Sequence, residues 1–391
     1  MAMENSENKV YLVYQNVPHY REPIFRYLCA LHQETVSYRL LSGNTTNLET
    51  LKIINIGDYL EANADRAIGW SPLRNYWFGE VLFQPEVLSL AFDKKCDCIV
   101  YFGSVYYLST WISAICARMM GKRVLFWTHG YRHKEPLYKR LPRNIFYKLA
   151  DGLLVYGHQA KRILAEYGFS EERIHVVYNS LNYDEQITYR NADEGECAKI
   201  RSSFKSSGPL LLWSGRMLPS RQLELLLRAL VCLKDRGDRA NLIIVGDGPG
   251  RKDLEALCED LELQDCVNFY GSCHDESRLA QLFHASDLVV CPGDIGLLAI
   301  HALTYGVPVI THGNMDTHKP EVEAIIPGVS GDFFKYKDSV SLAECITNWL
   351  GMHPDKSVNR KHCFDVIDEK YNPAYQKEAI DRAVLGLLPI D

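Results

Sequence analysis

At 391 residues the chain is long enough for two α/β domains, each with its own core, and its 47% hydrophobic and 24% charged content is ordinary for a globular protein. A formal net charge of −6 argues against nucleic acid as the main partner, because phosphate recognition favours a concentrated excess of Lys and Arg. The twelve cysteines are scattered, and none has C-x-x-C or zinc spacing, so a reducing, cytoplasmic protein without disulfides is expected. Met1 to Lys9 is polar and acidic, unlike a signal peptide, and charge interrupts every apolar run before ~18 residues.

The first half opens with the apolar run Val10 to Tyr14, which reads as a strand, followed by a turn at Asn16-Val17-Pro18. A helical pattern begins near Glu22 and places Ile24, Phe25, Leu28 and Leu31 on one face. Residues 60 to 80 are aromatic-rich, carry Pro72 and Gly79, and receive no assignment. Cys98 to Phe102 reads as a strand leading to a helix that ends near Met120, and Arg123 to Trp127 as a strand leading to a loop. Gly152 to Tyr156 reads as a strand followed by a helix from Gln159. Alternating strands and helices specify a parallel sheet covered on both faces. The spacing predicts a first Rossmann-like domain over 1–183 and a polar linker with a short helix over 184–208. A second Rossmann-like domain over 209–358 and terminal helices over 359–391, broken at Pro373, complete the chain.

The run from Leu210 to Thr311 carries the most chemistry. The strand Leu210 to Trp213 breaks into Ser214-Gly215-Arg216 and then Pro219-Ser220-Arg221-Gln222 before a long helix. A second strand ends in Gly246-Asp247-Gly248-Pro249-Gly250, and a third in Phe269-Tyr270-Gly271. The segment Pro292-Gly293-Asp294-Ile295-Gly296-Leu297-Leu298 then runs into a helix that ends at Gly306. Arg216 follows a strand and a glycine, at the carboxyl edge of a parallel sheet, where α/β proteins bind ligands. The Gly246 segment lacks the spacing of a dinucleotide fingerprint, and Pro249 removes an amide donor, so a sharp strand-to-helix turn is the better reading. No D-x-D signature stands in a loop, so no metal is expected.

This order resembles the donor-binding domain of retaining glycosyltransferases of the GT-B fold, above all glycosyltransferase family 4. The resemblance is strong over residues 210 to 311 and weak before residue 95. It implies two Rossmann-like parallel-sheet domains facing each other across a cleft, and terminal helices that return to the first domain. It also implies transfer of a sugar from a nucleotide-sugar donor to a glycan or lipid-linked glycan, with retention at the anomeric carbon, in polysaccharide or glycoconjugate biosynthesis. Arg216 and Arg221 would clamp the diphosphate, aided by Gly215 and by the helix entry at Gly296 and Leu297. Asp247, Gly248, Tyr270 and Gly271 would lie against the nucleotide, and His129 would face the reacting sugar. His19 and Arg21, after the first strand, are acceptor-side candidates. The family's E-x7-E glutamates are replaced by Gly293 and His301. A neutral imidazole at His301 keeps one acceptor nitrogen for the ribose. Asp294 is the nearest substitute for the first glutamate, with helix capping as its plainer role. Two other readings stay open: a nucleotide-sugar epimerase of the same fold, and a partner subunit that binds the donor without turnover.

Residues 118–148 hold Arg118, Lys122, Arg123, Arg132, Lys134, Lys139, Arg140, Arg143 and Lys148 against the single acid Glu135, interleaved with Leu137, Tyr138, Leu141 and Ile145. Such a basic, amphipathic stretch predicts contact with an anionic membrane surface at the cytoplasmic face, with a solvated helix face as the plainer alternative.

Overall fold

A computed structural model describes residues 8–30, 35–47, 52–55, 57–59, 69–191 and 193–390. The expected position of Leu31 on the first helix and residues 60–68 of the aromatic-rich stretch lie outside the described residues. The chain divides into two compact units, Met1–Leu181 with Pro373–Asp391, and Asn182–Asn372.

In the first unit the strands are β1 (Asn8–Tyr14), β2 (Val36–Gly43), β3 (Trp70–Leu73), β4 (Tyr76–Phe78), β5 (Val81–Phe83), β6 (Cys98–Phe102), β7 (Arg123–Thr128), β8 (Gly152–Val155) and β9 (Ile174–Val176). Seven of them form a sheet in the order β3-β2-β1-β6-β7-β8-β9, with every pairing parallel. The central strands read as unbroken apolar runs because helices cover both faces, and Val124 to Trp127 of β7 are fully buried. β4 and β5 pair separately as an antiparallel hairpin. β2 and β9 were not anticipated. β2 carries Ser37 and Arg39 among its apolar residues, and β9 is only three residues long.

In the second unit the strands are β10 (Leu210–Ser214), β11 (Asn241–Val245), β12 (Val267–Gly271), β13 (Leu288–Cys291), β14 (Val309–His312) and β15 (Gly331–Phe334), in the parallel order β12-β11-β10-β13-β14-β15. The helix Leu223–Asp235 buries Leu223, Leu226, Leu227, Leu230 and Leu233, the i, i+3, i+4, i+7 stripe of a helix laid on a sheet. In each sheet the strand order reverses once, between β1 and β6 and between β10 and β13. Those reversals are the switch points at which open α/β sheets bind ligands beyond the strands' carboxyl ends.

The boundaries differ from the sequence expectation in two places. Residues 184–208 belong to the second unit: the helix Glu194–Ser202 is capped by Asp193, buries Ile200, and its Arg201 pairs with half-buried Asp287 at 2.8 Å. Within 359–391, the helix Lys356–Lys370 also belongs to the second unit and buries Cys363 and Ile367 there. Only Pro373–Leu385 joins the first unit, where Ala379, Ile380, Ala383 and Val384 enter the core beneath β1, β6 and β7.

Residues 118–148 are not one amphipathic element. They comprise the end of the helix Leu108–Met119, the buried strand β7, and the helix Leu137–Tyr147. Several of their cations are committed to the fold. Arg118 donates to the Lys148 and Leu149 carbonyls, Arg123 to the Ala383 carbonyl, and Arg143 pairs with Glu135 at 2.7 Å. Among the described residues no helix is long and apolar enough to cross a membrane. All twelve cysteines are free thiols.

Candidate functional site

The loops after β10, β11 and β12 are joined backbone to backbone, and glycine makes this possible. The Gly215 amide donates to the Val245 carbonyl at 2.9 Å, and the Gly246 amide to the Gly271 carbonyl at 2.7 Å. Gly246 has a φ of 131°, and a Cβ there would run into the Gly215 carbonyl. Gly248 abuts Met217, whose amide donates to the Asp247 carbonyl at 3.0 Å and whose carbonyl accepts from the Gly250 amide at 3.2 Å. The Gly246–Gly250 segment is therefore a tight turn, as its sequence indicated. The Asp247 carboxylate is engaged locally, accepting from the Gly248 amide at 2.7 Å and lying 3.5 Å from Arg251. The Tyr270 hydroxyl accepts from Arg278 at 2.9 Å.

Across the switch point stands the loop after β13. The Asp294 amide donates to the Ser220 carbonyl at 3.2 Å, and the Arg221 guanidinium donates to the Asp294 carbonyl. Arg221 sits in the 3-10 turn Pro219–Arg221 and is half-buried, whereas Arg216 is exposed. Among the described residues Arg216 makes no ion pair, so its charge is uncommitted at the carboxyl edge. Gly293 is pressed against the Ser220 carbonyl and the Arg221 backbone, where any Cβ would collide. With this backbone, position 293 has no room for a side chain.

Helix capping does not explain Asp294. The helix Leu297–Thr304 has Gly296 as its N-cap and no side-chain cap bond. The amides of Leu297 and Leu298 stand in its first turn, where no intrahelical carbonyl can accept them. The loop is held instead by a residue the sequence reading missed, His318. Its Nδ1 accepts from the Ile295 amide at 3.1 Å, and its Nε2 lies 2.8 Å from the His312 carbonyl. Both bonds together require a neutral ring with the proton on Nε2. Burial lowers the His318 pKa, and burial with His318 alongside lowers that of His312 to about 4. The two rings stack at 4.0 Å.

His301 is not alone on its helix face. Its Nε2 lies 2.7 Å from Glu276 Oε1, which also accepts from the Tyr305 hydroxyl at 2.6 Å and from Gln186 at 2.9 Å. Burial pushes the Glu276 carboxyl up, but the bonds from His301, Tyr305 and Gln186 outweigh it and hold the group at about 2. The anionic Glu276 faces His301 Nε2 and fixes the ring's orientation, with Nδ1 on the opposite side of the ring. His301 thus has a carboxylate beside it, supplied by the helix Glu276–Ala285. Nothing near His301 in the sequence signals it.

The first unit holds the remaining candidates at its own carboxyl edge. His129 is exposed at the end of β7, its ring 4.8 Å from that of Tyr156. His19 is exposed in the 3-10 turn His19–Arg21. Arg21, read from the sequence as acceptor-facing, is buried. Its guanidinium donates to the Tyr156 hydroxyl and to the Tyr14 hydroxyl at 3.3 Å, and lies 4.4 Å over the Trp127 ring with Phe25 alongside. A flat, weakly hydrated cation stacks on aromatic faces more readily than it seeks water there. The structure therefore groups Gly215, Arg216, Arg221, Asp247, Gly248, Gly271, Asp294, Gly296 and Leu297 around one switch point. His301 follows on the adjoining helix, and His19, Arg21 and His129 lie at the edge of the other unit.

Two families account for most of the chain. Residues 198–360 match the family described as Glycosyl transferases group 1, and residues 57–185 that described as Glycosyltransferase Family 4. These two matches support glycosyltransferase group 1 and family 4-like domains, on a fold of two parallel-sheet units like that of GT-B glycosyltransferases. It is 32% identical over 192 residues to the alpha-monoglucosyldiacylglycerol synthase of Streptococcus pneumoniae, covering 47% of this chain and 42% of that protein. It is 26% identical over 186 residues to the alpha-D-kanosaminyltransferase of Streptomyces kanamyceticus, covering 46% and 47%. The matches thus span about half or less of these curated relatives. The fold is that of Anabaena HepE, solved in complex with UDP, at a TM-score of 0.70 and 18% identity over 97% of this chain and 100% of that one.

Proposed function

We propose that the chain transfers a sugar from a nucleotide-sugar donor to a glycan or lipid-linked glycan, with retention, in polysaccharide or glycoconjugate synthesis. The observation that carries this reading is the uncommitted Arg216 beside Arg221 and the open amino end of Leu297–Thr304, all at the β10/β13 switch point. When the sugar leaves, negative charge grows on the departing phosphate. Two guanidinium forks and a helix N-terminus meet that charge without a metal ion. His301 Nδ1 would accept a ribose hydroxyl, and His129 would face the reacting sugar. The relatives' names carry the word alpha, and an α-configured donor gives an α product only by retention.

A lipid-linked acceptor suits the outer face of the first unit. The helix Leu108–Met119 exposes Leu108, Ile112, Ile115 and Met119, and the neighbouring Leu137–Tyr147 exposes Leu137, Tyr138, Leu141 and Ile145. Trp111 and Phe146 join the two helices at 4.9 Å, and Lys139 and Lys148 remain exposed beside the ridges. An anionic bilayer at the cytoplasmic face fits this combination. Flotation with phosphatidylglycerol liposomes should carry the chain upward, and a chain that stays at the bottom contradicts that contact.

The donor reading is tested by calorimetric titration with UDP, GDP, dTDP and CDP. Preference for one nucleotide, lost in Arg216→Ala/Arg221→Ala, is the expected result. Binding to none would reject it. A second reading, a subunit that binds the donor without turnover, draws on the crowding at Gly293 and is favoured if nucleotide binds but no acceptor is ever modified.

A further inference from the structure

The Arg221 turn and the loop around Ile295 are joined twice, once directly and once through a buried pair of histidines. Directly, Arg221 donates to the Asp294 carbonyl, and the Asp294 amide donates to the Ser220 carbonyl at 3.2 Å. On the second route, the Ile295 amide donates to His318 Nδ1 at 3.1 Å, and the Lys319 amide donates to the Ile295 carbonyl at 2.9 Å. His318 stacks on His312 at 4.0 Å, and Tyr336 stands edge-on to His312 at 4.5 Å. The Tyr336 hydroxyl accepts from Gln222 at 3.4 Å, and Gln222 directly follows Arg221. Gln222 holds a φ of 50°, a left-handed backbone that a residue with a side chain keeps only when its surroundings fix it. The ring of contacts thus closes from Arg221 to Ile295 and back.

Both histidines are committed as acceptors. His312 is 0% and His318 2% exposed, and His312 Nδ1 accepts from the Asn314 amide at 3.2 Å as His318 Nδ1 does from Ile295. An imidazolium has no acceptor nitrogen, so a proton on either ring strands a backbone amide. A charged His312 would also bury its Nε2 without a partner among the described residues. The Asp294 carboxylate favours a proton on His318, but burial opposes it and prevails. At His312, burial and the neighbouring His318 ring act in one direction, against the proton. The other groups alongside are the Phe334 ring, 6.2 Å from His312, and Lys319, whose stem lies against Gly296 beside the buried Glu321.

We propose that His312 and His318 are positioning residues for donor binding: as neutral rings they lock the Arg221 turn to the Ile295 loop, and a proton on either one loosens the diphosphate site. This rests on the glycosyltransferase reading. The sign runs against simple charge, because added positive charge alone would tighten a diphosphate, whereas a loosened brace weakens it.

Calorimetric titration of the full chain with UDP at about pH 7.5 and about pH 4.5 tests this, with His318→Asn alongside. Asparagine keeps an acceptor oxygen for the Ile295 amide and does not titrate. UDP itself gains a proton over this range, equally for both proteins. His318→Asn should bind UDP within about threefold of the starting protein at the higher pH, and the starting protein should lose at least about threefold more affinity in acid. His318→Leu, which leaves Ile295 without an acceptor, should bind about tenfold more weakly at both pH values. A second measurement needs no variant: hydrogen–deuterium exchange of the nucleotide-free chain, corrected for the intrinsic effect of pH. Protection of residues 293–298 should fall at least about threefold at the lower pH while residues 210–214 stay protected. Parallel acid responses of the starting protein and His318→Asn, tighter UDP binding in acid, or unchanged protection of residues 293–298 overturns the inference and leaves the donor site standing. A chain that binds no UDP at the higher pH defeats the donor reading, and the inference with it.

Discussion

Each unit places an arginine shortly after its first strand, and the two have opposite fates. Arg216, after β10, is exposed with its charge uncommitted, in a loop shaped by glycines that pack backbone on backbone. Arg21, after β1, is buried among Tyr14, Phe25, Trp127 and Tyr156. The same side chain at the same kind of sheet edge serves a ligand site in one unit and a core in the other. The surroundings decide: small residues leave a cation in water, whereas large aromatic rings enclose it.

That contrast can be broken by substitution. Arg21→Ala removes a buried cation, opens a cavity among four aromatic rings and takes a donor from two phenol hydroxyls, and should cost about 3 kcal/mol or more in urea unfolding. Arg216→Ala should change stability by less than about 0.5 kcal/mol. Equal losses would erase the distinction. Gly293→Ala drives a methyl group into the Ser220 and Arg221 backbone and should destabilise the chain by about 2 kcal/mol. It should also weaken nucleotide binding by displacing Arg221; if it does neither, position 293 has the room denied to it here.

Smaller effects sharpen the comparison within the second unit. Glu276→Gln keeps the shape but removes the charge that orients His301, and should weaken nucleotide binding about fivefold at a stability cost of about 1 kcal/mol. An unchanged affinity would make the cluster purely structural. Acid should act through the buried histidines. His312 ionises near 6.5 when unfolded but at about 4 in the fold, so the unfolded chain binds the extra proton first. Its contribution is complete above that upper value and is lost as pH falls towards the lower one. The Glu276 carboxylate, held at about 2, follows only at lower pH, below the ordinary carboxylate value of 4.5. Melting temperatures that stay flat from about pH 7 to about pH 4.5 would contradict this assignment.

The sequence made legible whatever backbone chemistry dictates. Apolar runs ending in glycine marked β6, β10, β11 and β12 closely, and the turn at Gly246, the Arg221 turn and the helix entry at Gly296 all lie where glycine and proline placed them. Side-chain assemblies between distant segments were not legible. Glu276 reaches His301 from 25 positions away, and His318 reaches Ile295 from 23. Arg21 was misread because four separate segments build its aromatic enclosure. The hairpin at Tyr76 escaped assignment because two three-residue strands carry too little alternation to show a period.

Hydrogen–deuterium exchange of the whole chain with and without UDP tests the central claim most directly. Protection should gather in residues 214–221, 246–248 and 293–298, and Arg216→Ala/Arg221→Ala should abolish it. UDP-dependent protection confined to the first unit, or no change in those three loops, would contradict a donor site at the β10/β13 edge.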